Sequence, residues 1–209
     1  MNVIKELASS LNRRDEGPNL ELARRISDVR DKKAVKELVE NLANKSKDIQ
    51  NDCIKTLYEI GNIKPSLIAG YANDFIQLLD SKNNRLQWGA MTALNSIAAE
   101  SPKQVFSALA KLAAVADEGS VITRDHYVGI LIKGCMIKEY ADNAFVLLNE
   151  QLMTCPTNQL PMYAENVLPA IAEKYKEFFA KTLASRLDEV EKESKRRRVE
   201  KIVKKIQGR

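Results

Sequence analysis

Apolar residues recur at helical spacing through Leu78–Ala98. Leu86, Ala90, Met91, Leu94 and Ile97 fall on one face of a helix and leave the other positions polar or small. Asp80 to Asn84 separate this run from the end of a preceding apolar run at Leu78-Leu79, and they carry turn and cap chemistry. The pattern predicts two helices joined by a short polar turn and lying antiparallel. Such a pair cannot bury its apolar faces alone, so copies of it are expected as neighbours.

The copies follow at a constant spacing of 37 residues. Leu57, Leu94, Leu131 and Leu168 form one column of the second helices; Ile49, Leu86, Thr123 and Leu160 form another; Cys53, Ala90, Tyr127 and Ala164 form a third. The first helices keep the same shift, with Val35, Ala72, Leu109, Val146 and Leu183 in one column and Leu42, Leu79, Ala116, Met153 and Val190 in another. Repeats are expected near 32–61, 68–100, 103–135 and 139–173, followed by a fifth first helix over 174–192.

The segments LLDSKNNRLQWGAMTALNSIA and LVENLANKSKDIQNDCIKTLYEIG resemble the HEAT repeat: a leucine-rich first helix, an Asp in the turn, and a second helix with internal Ala and Leu. Asp80 and Asp117 hold the turn position, whereas Ala43 and Thr154 do not; the family's Arg column reads Gln50, Gln87, Arg124 and Pro161. The resemblance covers about residues 31–190 and implies an all-α, right-handed α-α superhelix of HEAT-like (armadillo-like) pairs. The fold by itself does not specify an activity.

The ends depart from the columns. Residues 2–14 read as an amphipathic helix carrying Val3, Ile4, Leu7 and Leu11, and a second helix begins near Leu20 and ends near Asp31. Residues 1–31 are therefore expected to cap a single solenoid domain spanning 1–209, with repeats over 32–192 and a basic helix over 193–209. Pro169, inside a predicted second helix, is expected to kink it.

Composition changes this picture in one respect. The net charge is +5, yet residues 195–209 alone hold eight Lys or Arg and one Glu, which leaves the rest of the chain slightly acidic. The basicity therefore belongs to the tail, and the pI gives no reason to assign nucleic-acid binding to the repeats. No apolar run approaches a membrane span and the N-terminus lacks a secretion signal, so a cytoplasmic protein is expected. Cys53, Cys135 and Cys155 read as buried thiols.

In HEAT-like proteins the second helices line the inner surface, so the resemblance places the partner-binding ridge on their outward side. A helical wheel puts positions 48, 51, 52, 55 and 59 and their equivalents there. The candidate residues are Arg85, Trp88, Thr92, Asp125, His126, Lys133, Tyr163 and Asn166. Trp88 is the only Trp, in a column with Asn51, Asp125 and Met162; it reads either as a binding hot spot or as a ring packed over an inter-repeat groove. His126 has no second His or suitably spaced Cys, so no metal site, cofactor or catalytic residue is expected. The alternative function comes from the HEAT-like alkylpurine DNA glycosylases, for whose site Trp88, Arg124 and Asp125 are the comparable set.

The basic tail, Lys195, Arg196, Arg197, Arg198, Lys201, Lys204 and Lys205, carries an apolar stripe of Val199, Ile202, Val203 and Ile206. It reads as a capping helix packed near Phe178, Leu183 and Leu187, or as an arm for an acidic protein, nucleic acid or an anionic membrane. Capping is the reading adopted. The function expected is a non-catalytic helical-repeat scaffold that binds a protein partner.

Overall fold

Twelve α-helices and no strand are present among the described residues, 3–208, of the computed structural model. The chain forms two compact units, 1–127 and 128–209, with the boundary inside one helix.

The first unit is built around α3 (Lys47–Ile63), which packs against α1 (Gly17–Val29), α2 (Lys32–Glu40) and α5 (Asn84–Ile97). Every residue from Cys53 to Tyr58 is buried, so α3 is covered around most of its circumference. Close approach to α5 depends on Gly89: a Cβ there would stand 2.7 Å from Ile54 Cγ1. The caps follow the turn chemistry. Asp31 accepts the amides of Lys33 and Ala34, Ser46 Oγ that of Ile49, and Asn83 Oδ1 that of Arg85.

The predicted first helices of two repeats are each broken in two. Short 3-10 turns at Pro65–Leu67 and Ala69–Tyr71 precede α4 (Ala72–Leu78), and α6 (Pro102–Ser107) precedes α7 (Leu109–Glu118). Three helical pieces per repeat is the armadillo variant of the same architecture. The Arg column does its work with other donors. Gln50 Nε2 donates to Asn44 O at 2.7 Å and Gln87 Nε2 to Leu79 O at 3.0 Å, each tying a second helix to the carbonyl end of the segment before it. Arg124 instead lies 3.7 Å from Asp117, which is expected in the turn but lies in the last turn of α7.

The expected N-terminal helix does not form. Val3–Glu6 is a single 3-10 turn followed by irregular turns, and Leu11 is exposed; Asn2, the first residue of that expectation, lies outside the described residues. The amide of Ala8 is taken by Asn19 Oδ1 and that of Ser9 by Asp52 Oδ2, so the strap is held from α1 and α3 rather than by its own helical ladder.

α8 (Val121–Cys135) runs into the second unit, which continues with α9 (Ala141–Thr154), α10 (Leu160–Val167), α11 (Glu173–Ser185) and α12 (Glu193–Ile206). Pro169 terminates α10 instead of kinking it, because it brings no amide to continue the ladder. The Leu column is accordingly buried at Leu57, Leu94 and Leu131 but only half-buried at Leu168, which sits past the helix end. Arg186 is buried just beyond α11; its Nη1 donates to Leu152 O and Cys155 O, both at 2.8 Å, and its Nη2 to Glu189 at 2.6 Å. This guanidinium closes the C-terminal end of α9.

The basic helix α12 packs on α10 and α11, with Val199, Ile202 and Val203 buried. Leu183 is buried on α11, but Phe178 is not part of this contact surface as expected: it is 55% exposed and meets Phe145 edge-on. No helix among the described residues is long and apolar enough to cross a membrane.

Candidate functional site

In the first unit the expected ridge falls on α3 and α5. Trp88 is half-buried and leans on Tyr58, with ring centroids 5.8 Å apart and planes tilted by 50°. Arg85, one turn earlier, places its guanidinium 6.0 Å from the Trp88 ring centre. The ring thus packs in part across the groove between two second helices, as one reading of Trp88 expects, and its remaining surface lies beside a cation.

Lys55 corrects the wheel, which put position 55 outside. Its side chain is only 11% exposed, with Nζ 2.9 Å from Glu59 Oε1, 2.9 Å from Glu16 Oε2 and 4.9 Å from the centre of the Tyr58 ring. Burial alone lowers the Lys55 pKa, but hydrogen bonds to Tyr58, Glu59 and Glu16 outweigh it and raise the group above the ordinary lysine value. The second oxygen of Glu16 is bonded by Arg85 Nη2. One carboxylate from the strap thus joins a cation of α3 to a cation of α5.

Around the N-terminal ends of the same helices the polar links continue. Asn83 Nδ2 donates to Asn51 Oδ1 at 3.0 Å and to Gln50 Oε1 at 3.2 Å. A polar cavity of about 510 Å³ opens beside Glu16 and Arg85, lined by Ser9, Arg14, Asp48, Asn51 and Asp52 among others. Ser9 Oγ is buried there and makes no hydrogen bond, while the hydrogen bond from Arg13 lowers the pKa of Asp15.

The other predicted residues divide. Thr92 is buried, not exposed; its Oγ1 donates to Trp88 O at 2.9 Å on a helix packed by both α3 and α4. Asp125 and His126 are half-buried, and His126 Nδ1 meets Asn95 Nδ2 at 3.1 Å. In the second unit Lys133 is half-buried, and burial lowers its pKa; Asn166 is exposed. Tyr163 is buried, because α10 is packed by both α9 and α12 and keeps little open surface. The sequence reading missed Glu16, Lys55 and Tyr58. The Lys55-x-x-Tyr58-Glu59 spacing was a usable signal for the last two, but nothing local to Glu16 points to Arg85, 69 residues away.

The basic tail is partly neutralised within its own unit. Arg198 forms a two-point pair with Glu165, Arg196 meets Asp188 and Glu200, and Arg197 meets Glu193. Lys195 donates to Asn158. Lys201, Lys204 and Lys205 are exposed and make no ion pair among the described residues. No cluster of three or more His, Cys, Asp or Glu side chains with metal-holding geometry occurs among the described residues.

No protein-family model matches the chain, and no curated protein matches it. Solved structures do. An engineered protein aligns over 98% of this chain and 100% of its own length, at 21% identity and a TM-score of 0.61. A designed armadillo repeat protein in complex with the peptide (KR)4 aligns over 97% of this chain and 99% of its own, at 15% identity and a TM-score of 0.63. A computationally designed armadillo repeat protein for modular peptide recognition aligns over 96% and 97%, at 16% identity and a TM-score of 0.62. What the chain shares with them is the fold: an all-α helical repeat of the HEAT and armadillo type.

Proposed function

We propose that this chain is a non-catalytic, cytoplasmic scaffold that binds a protein partner through the ridge formed by α3 and α5, with Arg85 and Trp88 as its anchors. The observation that carries this reading is the pairing of a half-buried Trp with an adjacent Arg on the outward side of a rigid helix pair. Trp and Arg are the residue types that concentrate binding energy in protein interfaces. Rigid helices bearing such anchors lose little conformational entropy when a partner docks. Armadillo-type designs built for peptide recognition support the class of ligand.

The test is a capture experiment with the intact protein and a matched Arg85→Gln/Trp88→Leu variant, both immobilised in source-cell extract. A protein retained by the first and lost by the second, then shown to bind directly when purified, is the expected result. Equal retention by both removes the ridge from the function. The glycosylase alternative has its own discriminator: release of alkylated bases from DNA by the pure protein, abolished by Asp125→Asn. No release is expected.

A further inference from the structure

The ridge contains a site already built for a carboxylate. Lys55 Nζ and Arg85 Nη2 converge on the two oxygens of one group, the Glu16 side chain, which comes from the strap and not from either helix. Charge-assisted bonds from two cations to one carboxylate are the strong, oriented kind. Without Glu16 the helices themselves present Lys55, Glu59 and Arg85. Glu59 is matched to Lys55 at 2.9 Å, which leaves Arg85 beside the open part of Trp88 as the uncompensated charge.

Glu16 is also not needed where it stands in its own helix. It occupies the N-cap of α1 but its side chain caps no amide there; Asp15 Oδ1 accepts the amide of Gly17 instead. Its carboxylate remains 40% exposed, as does the Arg85 side chain at 44%. The Arg85 half of the bridge is exposed and contributes little to stability, whereas the Lys55 half is mostly buried, so a competing carboxylate has to replace Glu16 at both cations.

We propose, resting on the scaffold reading above, that the partner presents an acidic segment whose carboxylate replaces Glu16 between Lys55 and Arg85, with Glu16 acting as an internal placeholder that weakens binding until it is displaced. The partner is then acidic at this point, the opposite of a Lys- and Arg-rich ligand. The wall of the adjoining cavity carries Arg13 and Arg14 but also Asp15, Asp48 and Asp52, so it favours a single carboxylate between Lys55 and Arg85 with an uncharged polar flank beside Asn51 and Ser9 Oγ.

Trp88, being the only Trp, reports on the site directly by its fluorescence. The full-length protein and its Glu16→Gln and Arg85→Gln variants are titrated with octaglutamate and, separately, with (Lys-Arg)4. Glu16→Gln is expected to bind octaglutamate about tenfold more tightly than the natural chain, the size of one charge-assisted hydrogen bond, and Arg85→Gln about tenfold more weakly. An octaglutamate affinity unchanged by Glu16→Gln overturns the placeholder. Tighter binding of (Lys-Arg)4 than of octaglutamate in every variant overturns the carboxylate site while leaving the ridge as a binding surface. If neither peptide binds any variant, the acidic-segment proposal falls, while the ridge reading stands or falls with the capture experiment.

Discussion

Replacing Arg186 by Met should be among the more damaging single changes in the second unit. Arg186 is 6% exposed, and its guanidinium donates to Leu152 O and Cys155 O at 2.8 Å each. Both carbonyls lie at the end of α9, where no amide of the helix remains to satisfy them. Cys155 O would be left without a donor, which costs about 1–3 kcal/mol, and Leu152 O would keep only the weak Cys155 Sγ donor at 3.7 Å. The bond to Glu189 adds less than about 1 kcal/mol, because that carboxylate is 54% exposed. Relief from burying a charge, and the apolar packing of Met, offset part of the loss. The net expectation is about 2–4 kcal/mol. Arg186→Lys should cost roughly half as much, since one ammonium cannot span both carbonyls and Glu189 in the planar fork that Arg provides. Urea unfolding followed by far-UV circular dichroism measures the loss, and Cys155, buried beside Arg186, gives a local check through thiol labelling. Faster Cys155 labelling should accompany the lower urea midpoint. An Arg186→Met protein within about 0.5 kcal/mol of the natural chain would show that the α9 end is satisfied without this side chain.

Leu94→Ala should cost about 2–5 kcal/mol by equilibrium unfolding, since Leu94 is fully buried and its removal leaves a cavity. Deleting residues 195–209 should lower the melting temperature and promote self-association, because Val199, Ile202 and Val203 would leave their apolar seat on α10 and α11 exposed; an unchanged melting curve would mean the helix is an independent arm. The intact protein should bind DNA only weakly, with a salt dependence no steeper than about three released counterions, one for each of Lys201, Lys204 and Lys205. Burial pushes the Cys53 thiol from 9.0 up to about 12, with the Asp52 and Glu37 charges adding to it. The folded state therefore holds its proton where the unfolded chain releases it, and stability falls as pH rises from about 9 towards 12. A Cys53→Ala protein should show a flatter decline of urea midpoint over that range.

The repeat register was legible in the sequence because it depends on local periodicity. Leu57, Leu94 and Leu131 recur at a fixed spacing, and each is buried. What escaped the reading was set by groups distant in sequence. The strap looks helical from Val3, Ile4, Leu7 and Leu11 alone, yet Asn19 and Asp52 capture two of its amides. Lys55 looks solvent-facing on a wheel until Glu16 is brought over it. Tyr163 looks exposed until α12 is laid along α10; the capping reading seats that helix on the fifth first helix alone, which leaves Tyr163 open. Of the candidate site, Arg85 and Trp88 were visible as a chemical pair one turn apart, while their anionic counterpart was not.

The ties made by Gln50 and Gln87 carry a consequence for how such a chain changes over time. In two repeats an amide side chain reaches back to a carbonyl of the preceding segment, and it does so without charge. The constraint selects for a function of the side chain, not for its identity. Successive repeats are then free to diverge until no two share a motif, while the spacing that lets them stack is kept. Repeats built this way can lose a shared motif before they lose the spacing that stacks them.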